Sequence, residues 1–204
     1  DIYCKATTVL RPNIFSKISN CHFDGNTKLG QATQCTIEFC TFALPGTGHD
    51  WSGDKSTVLV DSCDFYDVIN FTSSGDINGL TFSNCSTLLS GGTNFILVNS
   101  SAVYVNNLTI TGCYFYFGTN VIRIQTAQSA AIVTGINVVG CTFSGAAASG
   151  NAYIRCDSAN VRGWTIVGNS FGRNPILAGD NYIEDAGGVS VTGIFIDSVI
   201  GPNS

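Results

Sequence analysis

The chain has 204 residues, of which 44% are hydrophobic and only 11% charged, with a formal net charge of −5. Ordinary soluble domains carry about 25% charged residues, so a large share of this sequence is expected to be buried or packed against a partner. No Lys/Arg cluster is present to track a phosphate backbone, and the longest apolar runs fall far short of the roughly 20 residues of a membrane helix, so neither nucleic acid nor membrane insertion is expected.

The chain opens at Asp1 without a basic-then-apolar segment and contains no Met, which reads as a piece of a longer polypeptide or a processed product. With 23 Gly against 4 Pro and many aromatic residues, it suits short strands joined by tight turns. No shift of composition divides it, so residues 1–204 are expected to form one domain.

Loose copies of one unit come first: SKISNCHF from Ser16, CTIEFCTF from Cys35 and VLVDSCDF from Val58. The stretch ALPGTGHDWSGDKS, residues 43–56, reads as a loop inserted on the repeat. It carries Trp51, the aromatic residue best suited to a ligand, together with His49, Asp50 and Asp54, and such loops often carry recognition. Four close copies follow without gaps: LTFSNCST from Leu80, LTITGCYF from Leu108, INVVGCTF from Ile136 and WTIVGNSF from Trp164, with starts 28 residues apart. A worn copy, IFIDSVIG, begins at Ile194.

Each unit opens with period-two alternation, the mark of a half-buried strand. A small residue or Asn then marks a corner (Asn84, Gly112, Gly140, Gly168), after which Cys and Phe point inward. Cys21, Cys40, Cys63, Cys85, Cys113 and Cys141 form one inward column, continued by Asn169. Phe23, Phe42, Phe65, Phe115, Phe143 and Phe171 form the next. A second strand recurs in GTNFILVN, GTNVIRIQ, GNAYIRCD and GDNYIEDA, and a third in VYVNN, AIVTG, NVRG and VSVTG. Three strands and three turns per unit predict an all-β, single-chain parallel β-helix with coils of about 28 residues. At roughly 4.8 Å per coil, about eight coils make a rod near 40 Å long. The nine Cys are an odd number without a CxxC pair, so they read as buried, reduced, small hydrophobic residues. The two His do not complete a zinc pattern, and neither metal nor cofactor is expected.

Alternation on the second strand turns Ile96, Ile122, Ile154 and Ile183 inward with Val98, Ile124 and Cys156. The residues between them then face out: Phe95, Val121, Tyr153 and Tyr182 in one column, Leu97, Arg123, Arg155 and Glu184 in the next. This stripe suits a sugar-binding strip, a subunit interface, or a wetted surface of cross-strand pairs. On the first strand, Ser19, Glu38, Asp61 and Ser83 share an outward column, and His22, Thr41, Asp64 and Ser86 share another across the corner. Glu38 and Asp61 on neighbouring coils, with Asp64 round the turn, are candidates for the two carboxylates of glycoside hydrolysis. The alternative is solvated acids beside turns.

The unit I-x-I-x-G-N/C-x-F, stacked at this spacing over nearly the whole chain, resembles the repeats of pectate-lyase-like parallel β-helix proteins, and within them most the β-helix of bacteriophage tailspikes and tail fibres. Asn169 matches the Asn that stacks in a ladder at the corner of such proteins; the six Cys depart from it. No calcium-and-basic-residue lyase signature accompanies the repeat. The resemblance implies a right-handed coil and a homotrimer. It also implies a virion tail protein, assembled in the host cytoplasm and extracellular when mature, whose role is receptor binding and host attachment through cell-surface polysaccharide. On that reading Tyr153, Tyr182, Arg123, Arg155, Glu184 and Trp51 are the glycan-binding or subunit-interface residues. The alternatives are a depolymerase of glycoside-hydrolase type using Glu38, Asp61 and Asp64, or a bacterial adhesin or secreted carbohydrate-active protein.

Overall fold

The computed structural model describes residues 2–4, 8–10, 12, 14–43, 48–51, 53–71, 76–88, 94–98, 104–116, 121–124, 133–144, 152–156, 161–171, 181–185 and 195–200. Among them every paired strand is parallel to its neighbour and no helix occurs. The strands fall into three ladders that wind as a parallel β-helix.

The first ladder stacks Lys17–Ser19, Thr36–Glu38, Lys55–Asp61, Ile77–Ser83, Val105–Thr111, Val133–Val139, Val161–Phe171 and Phe195–Ile200. The second stacks Ile2–Cys4, Cys21–Phe23, Thr41–Phe42, Asp64–Phe65, Ser86–Leu88, Tyr114–Tyr116, Thr142–Ser144 and the end of Val161–Phe171. The third is an 8-stranded sheet, beginning at Thr8–Leu10 and Thr27–Leu29 and ending at Ala152–Cys156 and Asn181–Asp185. The expected three strands per coil are present with shifted bounds. The segments VYVNN and LTITG are one strand rather than two, because Val105–Thr111 runs through both.

The register explains which repeats were easy to see. Phe82 pairs with Ile110 and Ile110 with Val138, a step of 28 residues, whereas Ile18 to Ile37, Ile37 to Val60 and Val60 to Phe82 are steps of 19, 23 and 22. The early coils are shorter, which is why their copies look loose. Within residues 43–56 the described residues include a strand of the repeat. Phe42 pairs with Phe65 at an ordinary step, and His49–Asp50 is a strand of the third ladder, in register with Ile69 and Asn70.

Two columns of left-handed backbone recur along the described coils. Asn20, Phe39, Ser62, Asn84, Gly112, Gly140 and Gly168 have φ between 51° and 64° and form the corner between the first and second ladders. From Asn20 to Gly140 each donates its backbone N–H to the next coil, as in Asn84 to the Thr111 carbonyl at 3.0 Å. Gln34, Thr57, Gly79, Asn107 and Gly135 form the second column, which kinks the first ladder. Gly and Asn adopt this conformation at least cost, which makes the expected corner a physical necessity.

Inside, like residues stack on like. Phe23, Phe42 and Phe65 lie with ring centroids 5.0 and 4.7 Å apart, and Phe115, Phe143 and Phe171 at 4.9 Å each. Thr87 takes the missing Phe position, and Phe95 fills the gap, its ring 5.2 Å from Phe65 and 5.3 Å from Phe115. Each such buried aromatic contributes roughly 1.5–3 kcal/mol of hydrophobic stabilisation. The Cys column is buried and none of its thiols is bridged. Each thiol from Cys63 onward points to a carbonyl of the coil before it, as Cys85 does to Val60 at 3.5 Å and Cys113 to Phe82 at 3.7 Å. Asn169 fills the same role with an amide: it donates to the Val138 carbonyl and accepts from the Cys141 N–H, both at 2.8 Å. Burial pushes the Cys35 thiol up, and contact with the Cys40 and Cys85 thiols, with burial, pushes Cys63 up.

Candidate functional site

An all-β rod presents chemistry only where its outward columns converge, and the corner between the first and second ladders is where most of it lies. The expected outward columns are in register: Ser19, Glu38, Asp61 and Ser83 on one side, and His22, Thr41, Asp64 and Ser86 on the other. Glu38 and Asp61 sit on adjacent coils, with Asp64 round the left-handed Ser62.

The three acids are already engaged. Glu38 pairs with Lys17 at 2.6 Å. Asp61 accepts from Asn84 Nδ2 and from Ser62 Oγ, each at 3.1 Å, and Asn84 also donates to Ser83 Oγ at 3.0 Å. Asp64 accepts from Ser86 Oγ. All three face solvent, and they form a hydrogen-bonded surface network along the corner.

Toward the first coil the same corner opens into a groove of about 310 Å³, lined by Ile2, Tyr3, Asn20, Cys21, His22, Phe39 and Thr41. The Tyr3 ring lies flat on His22, centroids 4.7 Å apart and planes 8° from parallel. Its hydroxyl donates to Asp24 Oδ2 at 3.0 Å, a bond that raises the Tyr3 phenol above its ordinary pKa. Phe39 projects from the corner column at 56% exposure although its φ is +51°. The sequence placed His22 and Thr41 here but missed Tyr3 and Phe39. Phe39 was legible in principle, as the one bulky residue at a position otherwise held by Asn, Ser or Gly.

The stripe expected on the third ladder is corrected by the structure. Tyr153 is 2% exposed, and Phe95 and Val121 are buried as well. The reason is local: Phe95 and Ile96 both donate to the Val121 carbonyl, at 2.8 and 3.0 Å, so the chain is turning and two successive residues face inward. Tyr153 instead packs 5.5 Å from Phe143 and 5.9 Å from Phe171. Arg123 and Arg155 are partly exposed and in register with each other, and Arg155 is in register with Glu184. The side chains of Tyr182 and Glu184 lie outside the described residues.

Trp51 is likewise not a surface aromatic. It follows Asp50 in the third ladder, is fully buried, and packs 5.6 Å from Phe42 and 6.0 Å from Phe82. His49 is buried, with Nδ1 accepting the Thr27 N–H at 3.2 Å, and its pKa falls to about 4 because burial disfavours the charged ring. Asp50, the next residue of the strand, faces the other way, so the two do not converge on an ion. Among the described residues no three His, Cys, Asp or Glu side chains gather as a metal site.

No family model and no curated protein matches the chain. Similar solved structures include two trypsin-treated variants of QnrB1, described as a plasmid-mediated fluoroquinolone resistance protein. One is 16% identical with a TM-score of 0.25, covering 95% of this chain and 91% of that one. The other is 15% identical with a TM-score of 0.24, covering 98% and 92%. At these values the likeness carries no argument about function. What the chain can do rests on its own groove and on the acidic network beside it.

Proposed function

We propose that this chain is a tailspike or tail-fibre segment of a bacteriophage virion, one that recognises host-surface polysaccharide as part of a homotrimer. The observation that carries the recognition role is the open groove on the flank of the rod, where the stacked pair Tyr3–His22 and the exposed Phe39 supply flat apolar faces. Such faces suit pyranose rings, and Asn20 and Thr41 in the same lining supply polar atoms. A rod of stacked coils suits attachment because it holds a surface groove rigidly. The test is binding of the chain to a panel of purified bacterial surface polysaccharides, with sedimentation velocity for the trimer. Retention of one polysaccharide supports the reading; a monomer that retains none overturns it.

A second reading is favoured by the register of Glu38 and Asp61 on adjacent coils with Asp64 across the corner. Those three would then cleave the glycan as a glycoside hydrolase, and reducing ends would appear on incubation and disappear in Asp61→Asn. A bacterial adhesin or secreted carbohydrate-active protein would use the same groove, and would differ in being exported rather than packaged into a virion.

A further inference from the structure

We propose that the groove around Tyr3, His22, Phe39 and Thr41 is a subsite for an uncharged pyranose unit, with Phe39 as its stacking platform; this rests on the glycan-recognition reading above. The argument begins with a misfit. Among the described residues of the corner column, every position but one is Asn, Ser or Gly, all suited to left-handed backbone, and Phe39 holds φ +51° with more than half its surface in water. A bulky side chain there strains the backbone and buries less than half its surface, so the fold gains little from it. Conformational outliers that the fold does not need are where binding function is sought.

The opposite wall is stiff. Tyr3 is held flat on His22 and tied through its hydroxyl to Asp24, so little side-chain freedom remains to be lost when a ligand arrives. The groove volume, about 310 Å³, is at the low end of small-ligand sites, roughly 300–1,000 Å³. It admits a short stretch of a glycan rather than a long one.

Charge selects the class of sugar. Asp24 meets Tyr3, Glu38 adjoins Phe39, and Asp61 and Asp64 stand one coil further along the same columns. Among the described residues the neighbouring cation is Lys17, which is paired with Glu38 at 2.6 Å. The rim is therefore acidic, and a uronate or sialate carboxylate would meet like charge at short range.

The experiment is calorimetric titration with neutral hexose and N-acetylhexosamine oligosaccharides, with uronate- and sialate-containing ones, and with glucosamine oligomers, alongside thermal melts of Phe39→Asn and Tyr3→Ala. The expected results are binding of an uncharged oligosaccharide, anionic ones weaker by about tenfold, and a gap that narrows as salt rises. Phe39→Asn should melt a few degrees higher yet bind at least about tenfold more weakly. Equal or tighter binding of an anionic or aminosugar member overturns the uncharged class and leaves glycan recognition standing. Unchanged affinity in both variants, or a lower melting point in Phe39→Asn, overturns the groove. Binding of no member overturns both readings together.

Discussion

Two ionisable side chains stand where later coils have aliphatic ones. His49 shares its inward column with Ile69, Ile96, Ile122 and Ile154, and Lys55 shares its own with Ile77 and Val105. Burial holds the native His49 pKa at about 4, below the roughly 6.5 of an unfolded chain. Between those values the unfolded chain takes up a proton that the folded one refuses, so stability falls as pH falls through that window. We expect His49→Gln, which keeps an acceptor for the Thr27 N–H, to remove about 2 kcal/mol of that acid-induced loss, read from urea midpoints at pH 7 and pH 4.5. Lys55 has the opposite window. It donates to the carbonyls of Gly30 at 2.7 Å and Gly53 at 2.9 Å, and burial lowers its pKa to about 8 despite the attraction of Asp54 and Asp50. From about pH 8 to 10.5 the unfolded Lys is charged and the folded one neutral, so this residue's contribution favours folding more as pH rises. The difference between the wild type and Lys55→Met should shift by about 3 kcal/mol across that range, and a difference that stays flat would show that Lys55 titrates normally. Neither residue was legible as core from the sequence, because the short early coils break the 28-residue spacing that aligned the others. Trp51 was misplaced for the same reason.

At the scale of a strand and its corner, the repeat was legible wherever position alone dictates chemistry. Gly112, Gly140 and Gly168 were readable as corners because few residues adopt positive φ cheaply. Their neighbourhoods nevertheless differ. A Cβ on Gly140 would meet nothing within 4 Å, whereas one on Gly112 would lie 2.9 Å from Asn84 Oδ1. Gly140→Asn should therefore be nearly neutral, while Gly140→Val should cost at least about 1–2 kcal/mol of backbone strain; chemical denaturation of the pair separates the two. The inner ladder makes a second comparison available. Asn169→Cys would extend the thiol column, but it removes the acceptor of the Cys141 N–H and replaces an amide donor to Val138 by a weaker thiol. A loss of about 1–2 kcal/mol is expected, and a stability equal to wild type would show the amide to be dispensable. The stripe was misread because strict alternation fails there: Phe95 and Val121 precede their strands, and Tyr153 and Ile154, successive residues of Ala152–Cys156, are both buried.

Over the whole molecule, the buried thiols become a reporter of the rod's integrity. Cys35, Cys40, Cys63, Cys85, Cys113 and Cys141 are each 1% exposed or less. A thiol reagent should leave these six almost untouched in the native state and label them together as the rod unfolds, with a denaturant dependence matching that of strand loss. Early labelling of Cys35 and Cys40 alone would instead show that the short coils open separately. The fold class and the inward Cys and Phe columns were legible because a solenoid repeats one local solution coil after coil. The groove was not, since it depends on departures from the repeat. That regularity also makes the rod editable in whole units. Leu80, Leu108 and Ile136 occupy the same column, as do Phe82, Ile110 and Val138. A gene lacking residues 108–135 would thus join two faces that already fit their neighbours. The product would be a rod shorter by one rung, with every remaining side chain still facing the way it did before, so its length can change by recombination in steps while its cross-section is conserved.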